Sequence, residues 1–209
     1  MSRVVWLALA LASCGGPQRP EGPPPEYPGR LHDPATLVSP AGLGDAFALE
    51  HRVRTVYPDG EQQFRAVLQR TADRMVLVGF APHGGRGFVL QHTAEGVEFE
   101  SHLPQELPFP PEFMLRDIQR VWFLGLRGPL PDGEHRETIE GEEIVETWQD
   151  GRLRERTYRR VDDTPPGVQR ATYEGGLGGD EPPPVVTFEN GWFGYRLILT
   201  TLSHQTIEE

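Results

Sequence analysis

The 209-residue chain contains no lysine, so all twenty of its basic residues are arginines. This absence excludes a Walker-type phosphate loop, a lysine Schiff base and a Ser–Lys catalytic dyad, because each of them needs a lysine ammonium group. The single cysteine excludes an internal disulfide. The formal net charge of −11 argues against nucleic-acid binding, which depends on basic patches.

Long apolar runs are also absent, apart from one stretch of nine residues from Val4 to Ala12. That stretch follows Arg3 and has the length of a signal-peptide core, which is too short for a membrane span. It ends in Leu-Ala-Ser-Cys, which resembles the lipobox of bacterial lipoproteins. The sequence therefore predicts a lipoprotein signal peptide over residues 1–13 and a lipid-modified Cys14.

A proline-rich segment follows the predicted lipidation site. Six of the twelve residues from Pro17 to Pro28 are prolines, a composition typical of a semi-rigid, extended spacer. We therefore interpret residues 14–36 as a lipidated cysteine with a tether that holds the rest of the chain off a membrane. Residue 15 is glycine and not the aspartate associated with inner-membrane retention, so we expect attachment to the periplasmic side of a bacterial outer membrane.

Residues 37–209 carry the pattern of a single mainly β domain. Phe47, Leu49, Val53 and Tyr57 alternate with polar residues, a period of two that is typical of a strand. Similar segments recur along the chain, separated by short turns such as Asp59-Gly60. The pattern predicts ten or eleven antiparallel strands.

The segment from Glu112 to Leu126 is the one clear helix prediction. Its polar residues fall on one arc, and we expect Phe123, near that arc, to be exposed. Asp117 falls instead on the apolar side, where an unpaired carboxylate would be very costly. We predict that Asp117 is buried in a structural ion pair with an arginine from a neighbouring strand; contact with a ligand headgroup is the alternative.

Recognisable catalytic and metal-binding motifs are missing from the sequence. There is no Gly-x-Ser-x-Gly elbow, and the seven histidines have no metal-ligand spacing. Glu98, Glu100 and His102 share one predicted strand face, and we interpret them as a solvated edge. We expect no catalytic residues, no metal, no cofactor and no enzymatic activity.

Several stretches resemble proteins related to LolA and LolB, the periplasmic lipoprotein carrier and its outer-membrane receptor. They are Phe-Met-Leu-Arg-Asp-Ile-Gln at 113–119, Trp122, Val-Thr-Phe-Glu-Asn at 186–190 and Gly-Tyr-Arg-Leu-Ile-Leu at 194–199. The chain looks like a member of an uncharacterised family of short bacterial lipoproteins related to these two. The resemblance implies an unclosed antiparallel β-barrel with helices over an apolar cavity for acyl chains, although this chain has one clear helix where the carrier has several.

The leading hypothesis is therefore an outer-membrane lipoprotein that binds acyl chains of lipids or lipoproteins, as a monomeric carrier or receptor. Its candidate cavity residues lie on the helix: Phe113, Met114, Ile118 and Trp122. The alternative is a non-enzymatic envelope assembly or interaction protein with a filled barrel, and a hydrolase is third. The same alternation of side chains builds a hollow barrel and a filled one, so the sequence leaves these open.

Overall fold

The computed structural model describes residues 37–81, 84–103, 110–164 and 166–207. Its strands are β1 Phe47–Tyr57, β2 Gly60–Arg70, β3 Arg74–Phe80, β4 Arg86–Thr93, β5 Gly96–Ser101, β6 Gly133–Ile139, β7 Glu142–Gln149, β8 Arg152–Arg160, β9 Val168–Leu177, β10 Val185–Asn190 and β11 Tyr195–Thr206. The helix α1 spans Pro111–Trp122, and a 3-10 turn spans Pro40–Gly42. The predicted signal peptide and tether, residues 1–36, lie outside the described residues.

All eleven strands form one antiparallel sheet in the order β5-β4-β3-β2-β1-β11-β10-β9-β8-β7-β6. Pairing of β1 with β11 joins an N-terminal half, β1–β5, to a C-terminal half, β6–β11. The sheet order ends at β5 on one side and β6 on the other, so the sheet is not closed into a barrel. The prediction of a mainly β, unclosed antiparallel barrel with ten or eleven strands and one helix is confirmed.

The alternation of apolar and polar residues in the sequence corresponds to alternating burial of side chains along the strands. In β1 the buried side chains are those at alternating positions from Leu49 to Thr55, while Arg52 between them is exposed. Tight hairpins connect several neighbouring strands, and at the β7–β8 turn both Asp150 and Gly151 have positive φ. Asp-Gly suits that turn because both central residues of this hairpin type need φ above zero.

The helix lies against one face of the sheet, which we call the inner face. Its residues join two hydrophobic clusters. Val121 packs with core residues of β7–β10 in the C-terminal half, whereas Leu115 packs with Leu49, Leu68 and Leu90 in the N-terminal half. Trp122 is packed against both clusters. The single helix therefore covers both halves of the sheet.

The helix ends at Trp122, four residues before the predicted end at Leu126. A side chain of the sheet provides hydrogen bonds where the helix ends. The Tyr158 hydroxyl donates to the carbonyls of both Arg120 and Leu124. Gly125 is packed so tightly against Glu146 and Arg156 that a Cβ there would overlap them. No helix in the described part of the chain is long and apolar enough to cross a membrane.

Gly79 of β3 lies in close contact with an aromatic ring of the neighbouring strand β4. The ring of Phe88, which is directly opposite on β4, occupies the space above Gly79, and Phe88 also packs edge-on against Phe64. A Cβ at position 79 would overlap the Phe88 ring. The glycine is therefore required by packing and not by its backbone conformation.

We predict that Gly79→Ala lowers the free energy of unfolding by about 1–3 kcal/mol, because overpacking a buried site forces side chains off their rotamers. Urea unfolding monitored by circular dichroism measures this change. Phe88→Leu should relieve part of the loss in the double variant, so that the two changes are not additive. Strict additivity of the two changes would contradict the proposed clash.

Candidate functional site

The polar arc of α1 is buried against the C-terminal half of the sheet. Arg120 is only 1% exposed; its guanidinium donates hydrogen bonds to Glu142 of β7 and Gln169 of β9. The rings of Tyr158 and Trp192 lie 4.9 and 4.5 Å from its central carbon. Ion pairing, hydrogen bonds and two cation–π contacts together offset the desolvation of this charge.

Polar side chains of the strands also bind the last carbonyls of the helix. Tyr173 donates to the carbonyl of Val121 at 2.6 Å, and Arg156 donates to that of Arg120 at 3.1 Å. The last four carbonyls of a helix have no partner within the helix, and leaving one buried and unpaired is costly. These bonds fix the C-terminal end of α1 to β8 and β9.

A second buried ion pair supports this end of the helix. Glu146 of β7 is fully buried and accepts hydrogen bonds from Arg156 at 2.6 Å and from the Trp148 indole at 2.9 Å. It also accepts the backbone N–H of Leu126 at 3.1 Å. One carboxylate therefore connects two strands and the chain that leaves the helix.

Asp117 faces the C-terminal half as well, and it is 3% exposed. Asn190 donates to its carboxylate at 3.1 Å, and the Tyr195 hydroxyl donates to it too. Burial raises the pKa of Asp117 to about 6, although these hydrogen bonds and the positive charge of Arg120 act in the opposite direction. The hydrogen-bond donors are neutral side chains of β10 and the start of β11, not the strand arginine that we expected from the sequence.

Gln119 attaches the segment before β1 to the helix. Its side-chain amide donates to the Val38 carbonyl at 2.7 Å and accepts the Val38 N–H at 2.9 Å. Gln119 is fully buried, so this pair of bonds satisfies its amide inside the protein. The chain that follows the predicted tether is thereby held beside the last turn of α1.

The other side of the helix meets the N-terminal half through apolar contacts. Met114, Ile118 and Trp122, three of the four candidate cavity residues, pack against the cluster formed by β1–β4. The fourth, Phe113, lies elsewhere, with its ring 5.0 Å from Phe193 in the β10–β11 turn. Phe123, expected to be exposed, is instead partly buried and stacked on Phe47 at 5.8 Å.

Many apolar side chains on this side of the helix remain partly exposed. Leu77 is opposite Leu90, and Leu90 is opposite Phe99, so all three lie on the inner face. Leu90 is fully buried, but Leu77 and Phe99 are not. Met114 and Ile118 of the helix are also only partly buried. The N-terminal half thus presents apolar, incompletely covered surface beside α1.

A buried histidine marks the boundary between the two halves. His51 of β1 is 4% exposed and stacks on the Trp122 ring at a centroid distance of 5.5 Å. Its Nε2 has no hydrogen-bond partner among the residues that the structure describes. Burial lowers the pKa of His51 to about 4, so the imidazole is neutral at pH 7.

The sequence analysis did not single out Arg120, Glu142, Glu146 or Arg156. A signal for Glu146 was present, because it has the same parity as Ile144 and Trp148 and therefore shares their inner face. No group of three or more His, Cys, Asp or Glu side chains suited to a metal ion occurs in the described ranges. Of the three residues interpreted as a solvated edge, His102 lies 3.0 Å from Glu100.

The buried groups His51 and Asp117 make the stability of the fold depend on pH in opposite directions. The pKa of His51 is lower in the folded chain than its ordinary 6.5. The stability that the neutral imidazole contributes to the fold is therefore fully present above pH 6.5 and is lost as the pH falls towards 4. The pKa of Asp117 is higher in the folded chain than its ordinary 3.8. The stability that the protonated carboxyl contributes to the fold is therefore fully present below pH 3.8 and is lost as the pH rises through about 6.

We predict that His51→Leu becomes more stable relative to the unsubstituted chain as pH falls from 7 to 4, by up to about 3 kcal/mol. The buried imidazole no longer has to take up a proton in the variant. Asp117→Asn is the matched control and should change in the opposite direction over the same range. Urea unfolding at pH 7, 5.5 and 4 measures both, and parallel pH profiles for His51→Leu and the unsubstituted chain would refute the assignment.

Two solved structures are similar to this chain. One is a LolA superfamily protein from Nitrosomonas europaea, with 15% identity and a TM-score of 0.42 over 79% of this chain and 87% of that one. The other is a putative outer membrane lipoprotein-sorting protein domain from Vibrio parahaemolyticus, with 9% identity and a TM-score of 0.40 over 79% and 88%.

No curated protein matches the sequence. One protein-family model does match it, over residues 48–203, and its description is "protein of unknown function (DUF3261)". The matched range covers most of the chain, from the start of β1 to near the end of β11. The chain therefore belongs to the DUF3261 family.

Proposed function

We propose that this protein is a non-enzymatic lipoprotein of the bacterial envelope that binds acyl chains of lipids or lipoproteins between α1 and the N-terminal half of the sheet. Cys14 would anchor it to the periplasmic face of the outer membrane, with residues 15–36 as the tether. The role is that of a carrier or receptor. The single observation that carries this proposal is the difference between the two sides of the helix.

On the N-terminal side, contacts of α1 with the sheet are apolar and incomplete. Met114 and Ile118 on the helix and Leu77, Val97 and Phe99 on the strands belong to one cluster, and all five are only partly buried. An acyl chain that enters between them replaces apolar contacts with apolar contacts. No charge or hydrogen bond of these side chains has to be broken.

The free energy that an acyl chain gains when it leaves water is large. A buried methylene group contributes about 0.8 kcal/mol, so an acyl chain of about sixteen carbons gains on the order of 10 kcal/mol when it leaves water. Part of this gain offsets the separation of the helix from β3–β5. An acyl chain cannot cross an aqueous compartment without such a shelter, which is what an unclosed sheet with one covering helix offers.

The C-terminal side is unsuited to the same ligand. The network of Arg120, Glu142, Glu146 and Arg156 would have to be separated there, and breaking a buried ion pair costs about 3–5 kcal/mol. We therefore confine the proposed site to the N-terminal half. The helix stays attached to β7–β9 while ligand enters on the other side.

Ligand binding is tested with the chain from Gly15 onward, secreted into a bacterial periplasm and purified without detergent. We predict that native mass spectrometry detects bound phospholipid or fatty acid, and that the protein takes up a fluorescent fatty acid. Ile118→Trp should reduce this uptake at least about tenfold, because the larger indole would take up room at the apolar cluster of the N-terminal half against which Ile118 packs.

The matched control is Ile198→Trp, since Ile198 of β11 alternates with Leu197 and Leu199 of the inner cluster and therefore points to the outer face. This control should bind as the unsubstituted chain does. A bare mass with no uptake of fatty acid would overturn the proposal in favour of the filled-barrel alternative, an envelope assembly or interaction protein.

Anchoring is tested separately with the full chain. We predict that cells fed with labelled palmitate incorporate the label into the protein, and that Cys14→Ala abolishes this incorporation because the modified thiol is gone. Ser13→Ala keeps a small residue before the cysteine and should remain labelled. Label that persists in Cys14→Ala, or a mature chain that does not begin at Cys14, would contradict lipidation at this residue.

A further inference from the structure

Residues 37–43, which we call the strap, precede β1 and pack against the hydrophobic cluster of the N-terminal half. Leu43 is a buried member of this cluster, and Leu37 and Val38 are partly buried against it. The side chains of α1, β3 and β5 that form the proposed acyl-binding surface belong to the same cluster. Apolar side chains of the strap therefore occupy surface that an acyl chain would need.

Few directional bonds hold the strap in this position. The backbone of Val38 is bonded to the side chain of Gln119, and the Pro40 carbonyl accepts from Nη2 and Nε of Arg70 at 2.9 and 3.3 Å. The strap consists of irregular chain and one 3-10 turn, and none of its residues belongs to a strand. It can therefore leave the sheet without breaking any strand–strand hydrogen bond.

Arg70 of β2 is buried without a carboxylate partner in the described part of the chain. It is 3% exposed, and its guanidinium donates there to one neutral acceptor, the Pro40 carbonyl. The nearby Asp73 pairs with Arg74 instead, and its pKa is lowered by a hydrogen bond from Thr71 and by Arg74. A buried charge with a single neutral acceptor is costly, and a carboxylate would satisfy it better.

Arg70 adjoins the leucines of the proposed acyl-binding surface. Leu68, two residues earlier on the same face of β2, is opposite Leu77 of β3. Met75 is opposite Arg70, and His92 of β4 is opposite Met75. His92 is 6% exposed, and its Nδ1 has no hydrogen-bond partner among the described residues. The apolar surface is thus bordered by a buried cation and by a ring nitrogen that can still form a hydrogen bond.

We propose that the strap occupies the acyl-binding surface until a fatty acid displaces it, and that the ligand carboxylate then replaces the Pro40 carbonyl on Arg70. This inference rests on the acyl-binding proposal and names the ligand as a free fatty acid. No separate cavity is needed, because the ligand takes the space that Leu37, Val38 and Leu43 fill. The exchange favours the ligand, since a carboxylate bonds to a guanidinium more strongly than a carbonyl does.

Competition with the fluorescent fatty acid, on the protein prepared for the uptake experiment, tests the role of Arg70. We expect dodecanoic acid to bind at least about tenfold more tightly than its methyl ester at pH 7, because the ester has the same chain without the charge. Arg70→Gln should abolish this preference, and Arg70→Lys should retain part of it. Arg65→Gln, at an exposed position on the opposite face of β2, should keep the preference within about twofold.

Hydrogen–deuterium exchange measured by mass spectrometry tests the displacement of the strap. The N–H groups of Val38, Gly42 and Leu43 are hydrogen-bonded in the structure, so we expect them to exchange faster when dodecanoic acid is bound.

Two substitutions in the strap provide a test with an opposite sign. Leu43→Ser weakens the packing of the strap and should tighten the binding of both acid and ester at least about threefold, whereas the loss of a ligand contact would weaken it. Ala41→Ser, at an exposed position of the strap, should leave binding within about twofold.

The outcomes distinguish this inference from the acyl-binding proposal. Equal binding of acid and ester, or a preference that persists in Arg70→Gln, would overturn the role of Arg70 while acyl binding stands. Unchanged or slower exchange of the strap with bound ligand, or weaker binding in Leu43→Ser, would overturn the displacement. If neither compound binds, both proposals fail. Circular dichroism verifies folding, and if Arg70→Gln does not fold, the acid–ester comparison in the unsubstituted chain decides.

Discussion

The burial of Arg120 is the constraint on which the arrangement of the helix depends. A guanidinium group that is 1% exposed is tolerated only where opposite charge, acceptors and aromatic faces surround it. Those partners come from β7, β8, β9 and the β10–β11 turn, so α1 has one position and one rotation at which all of them are in reach. The sheet, in turn, needs α1, because its inner face is apolar and the helix is what covers both hydrophobic clusters.

The helix α1 is held to the C-terminal half of the sheet by directional bonds and to the N-terminal half by apolar packing. The carbonyls at the helix C-terminus are bonded to Tyr158 and Tyr173, and these bonds resist any movement away from β8 and β9. Apolar packing against β3–β5 carries no such directional bonds, and its strength depends only on the area removed from water. A ligand that supplies apolar area can therefore replace part of this packing, whereas nothing apolar can replace Glu142 beside Arg120.

Most of the fold could be predicted from the sequence, because strand alternation and Asp-Gly turns are local signals. The Asp150-Gly151 hairpin pairs Gln149 of β7 with Arg152 of β8, and the register shifts by one residue between Trp148 and Thr147. The burial of the polar arc of α1 could not be predicted in this way. Arg120 finds its partners 22 and 49 residues further along the chain, and a polar arc with no visible partner is normally assigned to solvent. The hydrogen-bond donors of Asp117 could not be predicted for the same reason. Its burial follows from the helical wheel, but its donors, Asn190 and Tyr195, lie more than seventy residues further along the chain.

The sheet is not closed between β5 and β6, and this bears on the acyl-binding proposal. Because β5 and β6 do not pair, the two halves of the inner face can differ in width without breaking any strand–strand hydrogen bond. A closed barrel of eleven strands would have a fixed circumference and would enclose a fixed volume. In the unclosed sheet, the side chains of β5 that pack towards the helix, Val97 and Phe99, are partly exposed. The proposed binding of an acyl chain therefore depends on the absence of pairing between β5 and β6 at one end of the sheet and on the attachment of α1 at the other.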